Sequence, residues 1–279
     1  NARSTNQNIL ISGNDREMNV QVLFSILSSI TYAIPDGNFS LKIINPIEED
    51  ELIELGLKNI FDALPNDSYE LFDESNLSEV LNKLNSLVEQ RKKSTDRLPV
   101  IIIIPAIEKL VQLQSSDYGA NTLAVQLQSL FSSGSIYGIY LVCEVNKPSN
   151  MSKIKGDLVG YFEHRIAFFM NEEESAELIG SKLASKLIDN ENLGSRSKGL
   201  YYAQSTQQAY KFKSYVDMHN ETDLLNQGLI NRPDPKILSL MKEESQMVSS
   251  KEIVEEDDYW AKLLSKVSDD ATLSLDDKL

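Results

Sequence analysis

Four consecutive isoleucines, Ile101 to Ile104, lie inside the apolar run from Leu98 to Ile107. A strand that does not alternate apolar with polar residues has no face to give to water. It belongs in the middle of a parallel sheet, with helices above and below. The run is too short to cross a bilayer, which takes about 20 residues.

The rest of the pattern supports this placement. Asn8-Ile-Leu-Ile-Ser12 (ended by Gly13), Phe39 to Asn45 (closed by Pro46), Tyr69 to Phe72, Gly138 to Cys143 and Arg165 to Met170 read as further strands. Apolar residues at helical spacing fall between them. One stripe carries Val20, Leu23, Phe24, Leu27 and Ile30. Glu48 to Leu64 reads as one helix through Ile53, Leu57, Ile60 and Leu64, and a stripe from Leu77 to Val88 gives another. Asn121 to Phe131 and Glu172 to Ile188 complete the set. Strand and helix alternate up to about residue 190, which predicts an α/β domain with a mostly parallel sheet and helices on both faces. Gly199 to Ala203 and Ala209 to Val216, split by a polar turn, predict a hairpin.

Beyond His219 the pattern changes. Asn231-Arg-Pro-Asp-Pro235 breaks any regular element, and residues 219–279 hold 14 acidic and 7 basic side chains, a net charge of −7. We expect two parts, an α/β domain over 1–218 and an acidic extension over 219–279. In the extension, Ser250 can cap a helix carrying Ile253, Trp260, Leu263, Leu264 and Val267. That helix either covers the core or folds on a partner. Docking is expected for 251–267 and disorder after about residue 268.

The chain has 279 residues, 27 basic and 42 acidic, for a net charge of −15. Such a balance argues against a nucleic-acid surface, which needs a dense basic patch to neutralise phosphates. Cys143 is the sole cysteine, so internal disulfides are excluded and a reducing compartment is expected. It lies in an apolar strand, as a buried inert thiol would. His164 and His219 have no thiol or carboxylate at metal-ligand spacing, so no metal site is expected. Arg91-Lys-Lys93 reads as a solvated helix end. The chain begins at Asn1 rather than Met, as a piece of a longer polypeptide would.

The turn after the first strand occupies the place of a phosphate-binding loop. In G-x-x-x-x-G-K-[ST], backbone amides cradle phosphates, the Lys neutralises them and the hydroxyl holds Mg²⁺. Here Gly13 is followed by Asn14, Asp15, Arg16 and Glu17, and then Met18 stands for the second Gly, Asn19 for the Lys and Val20 for the hydroxyl. Met18 does not readily take the φ > 0 geometry open to Gly, and Val20 offers a metal no oxygen. Arg16 could contact an anion, although Asp15 and Glu17 flank it. The isoleucine strand ends in Pro105 and Ala106, where a hydrolase would place an Asp for the metal shell and a Glu for the attacking water. Glu108 lies two residues past that Glu position. With both elements replaced, the residues predict a domain that does not hydrolyse nucleotide. A bland reading stays open beside this one: Gly13 in an ordinary strand-to-helix turn and Pro105-Ala106 as a mere strand end.

Gly138-Ile-Tyr-Leu-Val-Cys-Glu-Val-Asn-Lys-Pro148 resembles the sensor strand G-I-H-L-I-L-A-T-Q-R-P of the FtsK/SpoIIIE-type motor ATPases of the RecA-like superfamily. Asn146 and Lys147 stand at its Gln and Arg, whereas Glu144 and Val145 depart from its Ala-Thr. His164-Arg-Ile-Ala-Phe168 resembles the family's S-R-I-A-F strand, and Lys42-Ile-Ile-Asn-Pro46 its second strand. The resemblance runs from Asn8 to about Val216 and implies a three-layer RecA-like P-loop NTPase fold, with the C-terminal helical extension outside it. By family analogy Arg165 would be finger-like, a second candidate anion contact beside Arg16; a surface ion pair is the plain alternative.

A degenerate motor domain of this kind resembles the terminal ATPase domain of type VII secretion coupling proteins. That implies a cytosolic domain of a membrane-anchored secretion protein, working in substrate recognition and regulation of export. It implies no cofactor, or ATP held weakly at most. The implied partners are small helical-hairpin (WXG-type) secreted proteins or their C-terminal segments, neighbouring ATPase domains of the same chain, and other copies in a homo-oligomer, with no nucleic acid. The alternative is an active or nucleotide-binding ATPase domain completed by a neighbouring subunit, for which Arg16 and Lys147 are the local candidates.

Overall fold

A computed structural model of the chain describes residues 7–33, 38–64, 69–95, 97–114, 122–154, 158–187 and 198–214. The expectations for 219–279, His219 and Trp260 among them, lie outside the described residues.

Eight strands form one sheet in the order β3-β2-β4-β5-β1-β6-β7-β8. They are β1 (Ile9–Ser12), β2 (Ser40–Ile44), β3 (Tyr69–Phe72), β4 (Val100–Ile104), β5 (Ile139–Val145), β6 (His164–Ala167), β7 (Lys198–Ala203) and β8 (Gln208–Lys213). Strands β1 to β6 pair in parallel, and β7 and β8 add an antiparallel hairpin beside β6. The helices are α1 (Arg16–Ala33), α2 (Glu49–Glu54), α3 (Leu57–Ala63), α4 (Leu77–Arg91), α5 (Thr122–Ser133) and α6 (Glu172–Ile179). This is a three-layer α/β architecture, as the sequence pattern predicts.

The isoleucine run shows why. All of β4 is buried, and its side chains alternate between two cores. Ile102 and Ile104 join Leu10, Cys143 and the apolar stripes of α4, α5 and α6. Ile101 and Ile103 join Ile11, Val142 and the stripes of α1, α2 and α3. Asn8 pins the start of β1: its side chain accepts from the Leu141 N–H at 3.0 Å and donates to the carbonyls of Phe131 and Tyr161. It is fully buried, and these bonds satisfy an amide that would otherwise be costly inside.

Several boundaries differ from the sequence pattern, among them those of α2–α3, α6 and β6, the first two at a glycine. Glu48 to Leu64 is not one helix: Gly56, at φ 70°, separates α2 from α3. The break changes the phase of the stripe, so Leu52 is buried and Ile53 is 57% exposed. Glu172 to Ile188 ends early because Gly180 closes α6 in the left-handed conformation, with its N–H on the Ala176 carbonyl. A Cβ there costs backbone energy that glycine avoids. In the third, the strand expected over Arg165 to Met170 is β6, which begins at His164 and ends at Ala167. Arg91 also corrects an expectation: it is 4% exposed, not solvated. Its guanidinium donates to Tyr137 O at 2.7 Å, Leu98 O at 2.5 Å and Gly138 O at 3.5 Å, tying the end of α4 to the starts of β4 and β5.

Candidate functional site

Parallel strands bring their carboxyl ends to one edge of the sheet. Ligands of open α/β folds bind there, at the point where the strand order reverses. In this chain β1 is that point, flanked by β5 and β6. The loop after β1, the turn after β4 and the end of β5 therefore meet. Gly13 to Val20, Pro105-Ala106 and Asn146-Lys147 are brought together by the topology, although long stretches of chain separate them.

The loop itself is short. Only Gly13, Asn14 and Asp15 separate β1 from α1, so residues from Arg16 onward are already helical. The Asn14 N–H donates to Phe169 O at 2.9 Å, and the Asn19 N–H donates to Asp15 O at 3.3 Å inside the helix. A Cβ on Gly13 would lie 2.5 Å from Phe168 Cβ, so glycine is required by close packing against the end of β6. Met18 and Val20 are buried in the core beneath α1.

Asn19, at the lysine position, is fully buried. Its amide donates to Gly13 O at 3.1 Å and to Glu144 Oε1 at 2.9 Å. The other carboxyl oxygen of Glu144 accepts from the Ala106 N–H at 2.9 Å. Glu144 thus joins three motif positions: the lysine position on α1, the acid position after β4 and the sensor strand β5. Ala106 makes its bond from a left-handed conformation, φ 51° and ψ 53°, which is uncommon for a residue with a Cβ. Pro105 is buried beside it, with no group that could bind a metal.

A second tier surrounds this core. Glu51 of α2 is held from both sides, by Arg16 through Oε1 and by Lys109 through Oε2. Burial would raise the Glu51 pKa, but the Lys109 hydrogen bond and the Arg16 charge hold it below the usual carboxylate value. Glu108 accepts from the Asn146 N–H at 3.1 Å, and Asn146 O accepts from Ser12 Oγ at 3.5 Å. Glu144 is 1% exposed. Burial first, then the nearby Glu108 charge, pushes its pKa up to about 7 against the pull of Arg16, Asn19 and the Ala106 N–H.

The other expected contacts fall elsewhere. Arg165 is buried on the opposite face, donating to Phe162 O at 3.0 Å and Leu178 O at 2.6 Å and to the Gln204 side chain, with its guanidinium over the Tyr202 ring. It ties β6 to the end of α6. Lys147 is exposed at the end of β5. Cys143 is buried, and burial holds its thiol well above the ordinary pKa. His164 bonds Tyr201 Oη at 2.7 Å and Gln7 Oε1 at 3.1 Å, and burial lowers its pKa. Among the described residues no group of three or more His, Cys, Asp or Glu side chains could hold a metal. None of their helices is long and apolar enough to cross a membrane.

These residues do not fit a magnesium triphosphate. The loop amides named above are already bonded, and the lysine position carries a short amide engaged with Gly13 O and a buried carboxyl. Glu144, Glu108 and Glu51 were not singled out from sequence as site residues. The available signal was a lone acid in the apolar strand Ile139 to Val145, at a position where the sensor motif has Ala.

A second feature lies toward the opposite ends of the strands. An apolar groove of about 530 Å³ runs between α1 and the sheet, lined by Ile9, Val22, Ile26, Ile30, Tyr140 and Val142 among others.

No protein-family profile matches the sequence, and no curated protein matches it. Solved structures do match. ATPase domains 2 and 3 of EssC from Geobacillus thermodenitrificans align with a TM-score of 0.57 at 17% identity, over 82% of this chain and 45% of that one. The pCW3 conjugation coupling protein TcpA, in a monomer form with ATPγS, gives 0.55 at 15% identity, over 82% of this chain and 66% of that one. The cytoplasmic domain of the Thermomonospora curvata type VII secretion ATPase EccC gives 0.52 at 11% identity, over 82% of this chain and 28% of that one. The chain thus spans under half of the EssC chain, about two thirds of TcpA and under a third of EccC. At such identities the likeness carries the architecture, and on that ground this chain has the RecA-like P-loop NTPase fold that these ATPase domains share.

Proposed function

We propose that the chain is a catalytically degenerate FtsK/SpoIIIE-like ATPase domain of a type VII secretion coupling protein of the EssC and EccC kind. Its work is substrate recognition and regulation of export rather than hydrolysis. The observation that carries this reading is that Asn19 and Ala106 each donate to Glu144 at the place where phosphate, metal and attacking water would be handled. A site whose donors satisfy a buried carboxyl has no pre-organised charge for a triphosphate. The fold shared with EssC and EccC supports a setting on the cytosolic side of a membrane-anchored assembly, beside further ATPase domains of the same polypeptide.

The recognised partner is a small helical-hairpin secreted protein, taken by its C-terminal segment. The apolar groove beside α1 supports this, because an amphipathic segment recognised through apolar contacts needs such a lining. Its affinity should be nearly insensitive to salt, since few charges are neutralised.

Calorimetry with the full chain tests the reading. ATP, with and without Mg²⁺, should give no heat of tight binding, and no phosphate should be released. A C-terminal peptide of a WXG-type secreted hairpin should bind with an affinity unchanged between low and high salt. Magnesium-dependent hydrolysis by the isolated chain overturns degeneracy, and tight ATP binding with no peptide binding favours a site completed by a neighbouring subunit.

A further inference from the structure

The polar cluster at the carboxyl ends of β1, β4 and β5 holds two cations, Arg16 and Lys109, against three carboxyls, Glu51, Glu108 and Glu144. With all three carboxyls ionised the cluster would carry one uncompensated negative charge, and a buried uncompensated charge is costly. Five buried polar atoms in it have no hydrogen-bond partner among the described residues: Arg16 Nε and Nη2 on the donor side, and Asn19 Oδ1, Glu108 Oε2 and Asn146 Oδ1 on the acceptor side. Free donors and free acceptors thus coexist in one cluster. Arg16 offers one guanidinium corner to Glu51 and keeps the Nε–Nη2 edge unused, so the cluster has two arrangements available to it.

We propose that Glu144 binds one proton in the arrangement seen here, and that losing it draws Arg16 from Glu51 onto the Glu144–Glu108 pair, loosening α2 from the end of the sheet. The groups that face Glu144 set the balance. From α1 it meets Arg16 and Asn19, with Asp15 half-buried and Glu17 exposed at the helix start. From the turn after β4 come Glu108 and the Ala106 N–H, with Lys109 beyond on Glu51. From β1 comes no charged group, since Ile11 lies beside Glu144 in the sheet register, and past the end of β5 Lys147 is exposed. Glu108 opposes ionisation and Arg16 favours it. Once Glu144 is charged, the Glu144–Glu108 pair offers Arg16 two negative charges against the one on Glu51, and Glu51 keeps Lys109 alone. The device therefore holds α2 at acidic pH and frees it at alkaline pH. Its ligand is a proton, whatever else the domain binds.

Carboxyl carbon NMR of the full chain, labelled at glutamate Cδ, tests this together with amide exchange in α2. The Glu144 resonance, assigned by its loss in Glu144→Gln, should titrate close to neutral pH. Glu108→Gln, which removes the repelling charge, should lower the midpoint by about one unit. Amides of Leu52 and Leu55, which bond the carbonyls of Glu48 and Glu51, should lose about tenfold in protection between pH 6 and pH 8 after correction for intrinsic rates. That loss should follow the Glu144 midpoint in Glu108→Gln and vanish in Glu144→Gln. A Glu144 midpoint below about pH 5.5 overturns the proposal. So does an α2 transition that is absent, or that stays put when Glu108→Gln moves the Glu144 midpoint, and this second variant decides even if Glu144→Gln fails to fold.

Discussion

Gly13, in the turn after β1, packs directly on the end of β6, and Gly13→Ala measures what that packing is worth. An added Cβ would sit 2.5 Å from Phe168 Cβ and 3.2 Å from Phe168 Cα. Carbon atoms in contact prefer about 3.5–4.0 Å, so the overlap is about 1 Å. Phe168 cannot yield easily. Its N–H is bonded to Ser12 O at 2.9 Å and the Asn14 N–H to Phe169 O at 2.9 Å, one on each side of the clash. Overpacking of this kind costs about 1–3 kcal/mol, and weakening one of those backbone bonds adds about 1 kcal/mol. The narrower unfolded ensemble of alanine returns about 0.4–1 kcal/mol. The net expectation is a loss of about 2–3 kcal/mol, or about 5–10 °C in Tm for a domain of this size. Urea titrations followed by far-ultraviolet circular dichroism measure it, with the slope checked against wild type. A loss below about 0.5 kcal/mol refutes the packing argument, since that is the ordinary scatter of neutral substitutions. A variant of unchanged stability that had lost ATP binding would place Gly13 back in a phosphate cradle.

Other outcomes follow from the same contacts. Glu144 has a folded pKa of about 7 against an ordinary 4.5, so its contribution to stability is complete below about pH 4.5 and is lost as pH rises through 7. Over that window wild type should lose about 3 kcal/mol more than Glu144→Gln, and parallel urea midpoints from pH 5 to pH 8 would contradict this. Arg91→Ala takes the guanidinium donor from the carbonyls of Leu98 and Tyr137, while Gly138 O keeps the Val100 N–H, and should cost about 3 kcal/mol, with Arg91→Lys restoring only part of it. Cys143 should resist an aromatic disulfide reagent in the native state and react fully in urea; rapid native reaction would mean that the strand is open. Asn19→Lys should not produce ATP binding by itself, because the new ammonium would pair with Glu144; binding by that single variant would show that the carboxyl is no obstacle.

The fold was legible because its signals are local and repeated. Four isoleucines in a row can only be buried on both sides, and the stripes of α1 and α4 carry helical spacing. Helix ends were less legible where one glycine decides them. Gly56 and Gly180 each sit inside an apparently continuous pattern, and φ near +70° is a property of the backbone that apolar spacing does not register. Arg91 misled for a related reason. Its neighbours Lys92 and Lys93 mark a solvated helix end, but the partners that bury it, Leu98, Tyr137 and Gly138, come from other elements. The replaced motif residues could be counted directly in the sequence, whereas what replaced their chemistry could not. Asn19 and Glu144 are 125 positions apart, and Ala106 and Glu144 are 38 apart, so neither pairing leaves a local trace.

The acids in this cluster answer a need that the topology itself creates. Where parallel strands end, their last backbone groups leave the ladder, and each buried N–H or C=O still requires a partner. In a nucleotide-binding member of such a fold, the ligand and its metal supply many of those partners. Here side chains do so one by one. The Ala106 N–H finds Glu144, the Asn146 N–H finds Glu108, the Gly13 carbonyl finds the Asn19 amide, and the Asn146 carbonyl finds the Ser12 hydroxyl. The two N–H groups face carboxyls because they call for acceptors, and the Gly13 carbonyl faces an amide because it calls for a donor. Matching each backbone group this way gathers glutamates at one edge, and that excess of acid obliges Arg16 and Lys109 to gather round Glu51 beside it.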